Sequence, residues 1–152
     1  QNLELRANEI GLHNFAPASS EVGVYDFKFS FPDSPTIYVN IKSSVAGGRT
    51  NKDDISKAPA LHEFMSARPD CILFIATIEI VFSAEPMRLE FTDCYVVPVS
   101  WLPDVYVNPS NNGNLQSSKY KDISASIPRT RDEFISVLSD EINVAAEKRR
   151  RR

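Results

Sequence analysis

Residues 22–44 read Val22-Gly-Val-Tyr-Asp26-Phe-Lys28-Phe-Ser-Phe31, then Pro32-Asp33-Ser34-Pro35, then Thr36-Ile-Tyr-Val-Asn40-Ile41-Lys42-Ser-Ser44. Two alternating runs flank a Pro/Asp/Ser cluster, the pattern of a β-hairpin. Successive strand side chains point to opposite faces, so Asp26 and Lys28 share one face while Phe27, Phe29 and Phe31 share the other. On the second run Asn40 and Lys42 share a face, with Val39 and Ile41 opposite. With the turn centred between Asp33 and Ser34, Asp26 stands across from Asn40 and Ile41. The pattern predicts an acid, an amide and a lysine converging on one patch beside an aromatic core.

Working outward, residues 2–12 carry Leu3, Ala7 and Ile10 at helical spacing, with Glu9 near the edge of that face. After Lys42 comes a loop with Gly47-Gly48 and the basic residues Arg49 and Lys52; it lacks the spacing of a phosphate-binding loop. Asp53 or Asp54 is placed to cap a helix running through Ile55, Ala58, Leu61, His62 and Met65 to Arg68, with Pro59 in its first turns. Cys71–Phe82 opens as a near-continuous apolar run, which predicts a strand buried on both faces. It then shifts to alternation at Thr77, Glu79 and Val81, where one face becomes wet. The helix before it supplies the crossover for a parallel pairing. Met87–Val97 alternates and reads as a further strand after a turn at Glu85-Pro86. Residues 108–118 are the most polar segment and read as a long loop. Thr130 or Asp132 starts a final amphipathic helix with Phe134, Ile135, Leu138 and Ile142 inward, fraying into the basic tail Glu147–Arg152.

The chain has 152 residues, 42% hydrophobic and 24% charged, enough for one α/β domain with a real core. It opens at Gln1, and we expect a trimmed or processed piece with residues missing upstream. No apolar run approaches the ~20 residues of a membrane span, and no signal-peptide pattern opens the chain. Cys71 and Cys94 sit in apolar strand-like runs, predicting buried free thiols and a cytoplasmic setting. Two widely spaced histidines and two cysteines make no zinc pattern, and neither a serine-hydrolase elbow nor a dinucleotide fingerprint occurs. The net charge of −3 argues against a general nucleic-acid binder, yet residues 42–68 carry 5 basic and 3 acidic side chains and residues 105–152 carry 9 and 6. Basic faces of that kind suit a polyanion.

The succession of helix, hairpin with Asp26, Asn40-Ile41-Lys42, crossover helix and apolar strand resembles the core of the PD-(D/E)xK nuclease superfamily, most closely its type II restriction endonucleases. The likeness spans roughly residues 1–82. It implies a restriction-endonuclease-like mixed sheet with an active-site hairpin flanked by helices. It implies further a metal-dependent endonuclease that hydrolyses phosphodiester bonds of double-stranded DNA, acts as a homodimer, and uses Mg²⁺ with Mn²⁺ as a substitute. Carried over, Asp26 is the metal-binding aspartate, Asn40 stands at the second acidic position, and Lys42 is the lysine that activates water and offsets charge. The carbonyl of Ile41 completes the metal shell, and Glu9 is the candidate for an extra carboxylate. Asp33 also matches the motif's letters but lies in the turn. Asn40 departs from the pattern, replacing a carboxylate by a neutral amide and weakening any hard-cation site.

For DNA contacts the candidates are Arg49, Lys52 and Lys57, then Asn111, Asn112, Asn114 and Gln116, whose amides suit adenine edges, and Lys119 and Lys121. Two other readings stay open from the residues. Asp, Lys, Asn and Lys at alternating positions also suit an ordinary solvated ribbon. A nuclease fold without turnover would serve as a DNA- or protein-binding module.

Overall fold

The computed structural model describes residues 2–19, 23–47, 53–110 and 113–151. The quoted hairpin forms as β2 (Phe27–Ser30) and β3 (Ile37–Val45), antiparallel with Phe27 opposite Val39 and Phe29 opposite Ile37. At the turn Asp33 takes a φ of 57°, and the Ser34 hydroxyl bridges Phe31 and Pro35. β1 (His13–Pro17) pairs with the outer edge of β2, antiparallel. On the other side β3 pairs in parallel with β5 (Ile72–Ala84), and β5 pairs antiparallel with β6 (Met87–Pro98). The result is a mixed five-stranded sheet in the order β1-β2-β3-β5-β6.

The crossover from β3 to β5 holds β4 (Asp53–Lys57) and α2 (Ala58–Ser66). β4 belongs to a second, three-stranded sheet with β7 (Tyr106–Val107) and β8 (Asn114–Ser117), in the order β4-β8-β7. The last helix, α3 (Arg131–Arg150), lies against α2 and β7. Thr130 caps it, accepting from Glu133 N–H while the Glu133 carboxylate accepts from Thr130 N–H. One hydrophobic cluster joins these parts: Leu73, Ile75 and Val97 of the large sheet, Leu61 and Met65 of α2, Ile55 and Leu115 of the small sheet, Phe134 and Leu138 of α3. No described helix is long and apolar enough to cross a membrane.

Several local expectations are corrected. The helix predicted over 2–12 is α1 (Asn2–Arg6) followed by a 3₁₀ turn at Asn8–Ile10, ended by Gly11 at φ 77°; Ala7 is buried but Ile10 is exposed. Residues 53–57 are a strand, not the start of the helix. The ring of Pro59 would clash with the carbonyl of Ile55 if the helix ran back that far, so it starts at Ala58. Instead Ile55 turns inward, fully buried, from β4.

The polar segment 108–118 is not one long loop. Leu115 and Ser117 are both fully buried, and β8 pairs on either side with β4 and β7. The basic tail does not fray from Glu147: α3 stays helical to Arg150, and Arg149 Nε donates to the Pro109 carbonyl. Cys71 is only half-buried and Cys94 is exposed. The β5 run is likewise covered on one face only: Leu73, Ile75 and Thr77 are buried, while Phe74, Ala76 and Ile78 on the other face are not.

Candidate active site

The hairpin register puts Asp26 one residue before β2, opposite Asn40. Its backbone N–H donates to the Val39 carbonyl, and its carboxylate Oδ2 accepts the backbone N–H of Ile41 at 2.6 Å. The carboxylate is thereby held just before β2 begins, where β3 runs on toward Val45 without β2 beside it, leaving its second oxygen outside that bond. Asn40 and Lys42 lie on the face of β3 that turns toward α2 and the small sheet, beside Ile75 and Thr77 of β5. Ile41 sends its side chain to the opposite face, where it is exposed.

These residues line one cavity of about 260 Å³, with walls from Gly23, Val24, Asp26 and Asn40–Lys42 on the hairpin side. The facing wall comes from the second sheet and α2: Asp54, Ile55, Ser56, Lys57, Ala60 and Asn114. Asp26, Asn40, Ile41 and Lys42 of the hairpin reading are thus brought together, with Lys57 beside them and Asn114 joining from the segment read as a separate polar loop. Asp54 joins them, and reading residues 53–57 as the cap of a helix had hidden it. Asn114 Nδ2 and Gln116 Nε2 both donate to the Asp54 carboxylate, at 2.9 and 2.6 Å, fixing it across the β4–β8 pair. Next to it Asp53 accepts the Tyr120 hydroxyl at 2.6 Å; burial and that carboxylate push the phenol's pKa up.

Asn40 is nine-tenths buried, and its Nδ2 donates to the Val24 carbonyl at 2.9 Å. That bond fixes the amide's orientation. Among the described residues its Oδ1 has no hydrogen-bond partner, and neither does Asn114 Oδ1 in the same cavity. A buried acceptor without a donor costs about 1–3 kcal/mol, so such oxygens commonly mark where something else binds. Burial pulls the Lys42 ammonium below the ordinary lysine range, and the nearby Asp26, Asp54 and Asp53 carboxylates offset this only in part.

The donor set fits a small hard cation. Mg²⁺ takes oxygen ligands, usually one or two carboxylates with the rest from substrate phosphates and water. The cavity offers the Asp26 and Asp54 carboxylates, the orphaned Asn40 Oδ1 and the backbone at Ile41. No cluster of three or more His, Cys, Asp or Glu side chains forms among the described residues, so amide and backbone oxygens must supply part of any such shell.

The other candidates lie elsewhere. Glu9 does not line the cavity; it is exposed and pairs with Arg6 at 3.2 Å. Asp33 stays at the hairpin turn. Gln116 stands just behind Asp54 and also accepts from Asn108 Nδ2. Lys119 is exposed, and the Lys121 ammonium lies 5.7 Å from the Tyr120 ring centroid. Arg49, Lys52, Asn111 and Asn112 lie outside the described residues. No protein-family model matches the chain, and no curated protein matches it.

Proposed function

We propose that this protein is a metal-dependent endonuclease of the restriction type, hydrolysing phosphodiester bonds of double-stranded DNA at the cavity between its hairpin and its small sheet. The observation that carries this reading is the convergence of Asp26, Asn40 and Lys42 on one side of β3, with a buried, unpartnered amide oxygen beside a partly desolvated lysine. The fold proposed with it is a restriction-endonuclease-like core, β2–β3 being its active-site hairpin.

In this reading Asp26, Asp54, Asn40 Oδ1 and the Ile41 carbonyl hold Mg²⁺, or Mn²⁺ in its place. When bound, the ion polarises the scissile phosphate and offsets the charge on the leaving oxygen. Asp54 restores the negative charge that Asn40 lacks, the role first expected of Glu9. Lys42, whose ammonium gives up its proton more readily than an ordinary lysine's, orients the attacking water and takes its proton or neutralises charge as the bond breaks. Lys57, exposed at the cavity rim, and Lys119, on the segment that follows β8, contact phosphates on either side. Asn114 and Gln116 chiefly fix Asp54, which leaves them less free to read base edges.

The test is digestion of genomic DNAs of differing base composition with Mg²⁺, with Mn²⁺ and with chelator. Discrete fragments that need metal and vanish with Asp26→Ala support the reading. Intact DNA under every metal, with binding retained, would favour a non-catalytic binding module.

A further inference from the structure

The β5–β6 ribbon has two unlike faces. Cross-strand partners share a face, and the register sets Ile80 opposite Phe91, Phe82 opposite Leu89 and Ala84 opposite Met87. Nearer the body of the sheet, Ala76 faces Val96 and Ile78 faces Cys94. The parallel pairing of β3 adds Ile41 beside Ala76 and Val45 beside Ile80. Among the described residues, no charged side chain interrupts this surface. The reverse face of the ribbon carries Glu79, Arg88, Glu90 and Asp93. Helices α2 and α3 pack on the reverse side of the sheet, through Leu73, Ile75 and Val97.

The apolar side is left open: Met87 is 91% exposed, Phe91 71%, Phe82 62%, and Leu89, Val96 and Val45 each about half. This explains why β5 reads as a strand buried on both faces, and why Cys94 lies in an apolar run yet is exposed.

We propose that this sheet face is the docking surface for a second copy of the same chain, packed face to face about a two-fold axis. With roughly 150–200 Å² per side chain of this size, the exposed fractions leave about 570–760 Å² of apolar surface on each protomer. That approaches the share each partner brings to a standard stable interface, and lies at or above the upper end of the largest apolar patch, about 300–600 Å², on a typical monomer. An isologous contact of this kind brings uncharged surface onto uncharged surface and turns both acidic ribbon faces outward, so no charge is buried and like charges are kept apart. Asn40 and Lys42 point to the other side of β3, so pairing leaves both cavities open. The proposal is therefore independent of the chemistry assigned to the cavity.

The experiment is sedimentation of the full chain over a micromolar dilution series, with alkylation of Cys94 by iodoacetamide at each concentration. Phe91→Arg and Leu89→Glu serve as interface variants, since both side chains are exposed, and circular dichroism checks that each variant keeps the wild-type fold. The expected result is a wild-type dimer in which Cys94 reacts roughly tenfold more slowly than in either variant, both variants being monomeric. A monomeric wild-type chain at all concentrations would overturn the proposal. So would a dimer that survives both substitutions, because the contact would then lie elsewhere. A monomer with Cys94 protected would overturn it too, showing the face covered by the chain's own residues.

Discussion

The Asp26 carboxylate accepts the backbone N–H of Ile41 at 2.6 Å, tying the acid of one hairpin strand to the middle residue of the Asn40-Ile41-Lys42 run on the next. One bond thus sets the spacing between the acid, the buried amide and the lysine.

Replacing Asp26 by Asn keeps the shape and removes the charge. A hydrogen bond to a charged acceptor is worth about 1.5–3 kcal/mol, so the variant loses roughly 1–2 kcal/mol of stability. On the proposed metal-dependent reading it also loses most of its affinity for Mg²⁺. Thermal melts with and without the ion check both: the midpoint falls, and added Mg²⁺ no longer raises it.

Asn40→Asp restores the carboxylate that the resemblance leads one to expect. In chelator the variant is less stable, by about 1–3 kcal/mol, because the Val24 carbonyl loses its donor and a second buried charge faces Asp26. With Mg²⁺ the order changes: the variant binds the ion more tightly than wild type and gains more in melting temperature. Equal Mg²⁺ responses of the two proteins would count against Asn40 Oδ1 as a ligand.

Lys42 makes a prediction in pH. Its folded-state pKa lies below 10.5 because burial disfavours the ammonium. Between the folded and unfolded values the unfolded chain holds more protons. The cost of burying the charge is therefore fully present below the folded pKa, and stability rises with pH through that window. If the neutral amine takes the proton from water, the cleavage rate climbs with pH up to the folded pKa, with a logarithmic slope of about one. A pH–rate profile checks this, and Lys42→Arg, which stays charged throughout, should lose the climb.

Asp104 makes a prediction of the same sign in the acid range, where stability again rises with pH. Burial works to raise its pKa, but hydrogen bonds from Ser117 and Ser118 outweigh burial and hold the carboxyl below 3.8. Its stabilisation is present above the unfolded pKa and is lost as pH falls through the lower folded value. Urea titrations from neutral to acidic pH should show Asp104→Asn weaker by about 1–2 kcal/mol at neutrality and flatter in acid.

The hairpin was legible because both strands alternate cleanly around a turn-rich cluster, and the parallel β3–β5 pairing followed from the apolar run after a crossover. The cavity's far wall was not. β8 has Leu115 as its one large apolar residue, so its buried Ser117 and its pairing with β4 leave no period-2 signal in hydrophobicity. Without β8 there was no partner for residues 53–57, and helix capping was the locally sensible reading of Asp53-Asp54. That single omission displaced Asp54 from the site and left Glu9 as the nearest candidate acid. The uncovered face of β5 misled in the other direction: its letters ask for burial that the rest of the described chain does not supply.

The most direct test of the catalytic reading is the single-turnover cleavage rate of a DNA duplex at saturating Mg²⁺, wild type against Lys42→Ala, with DNA affinity measured in parallel. The account predicts a loss of roughly 10²–10⁴-fold in rate at nearly unchanged affinity, the scale of a lost proton-transfer group. Equal rates for the two proteins would contradict it.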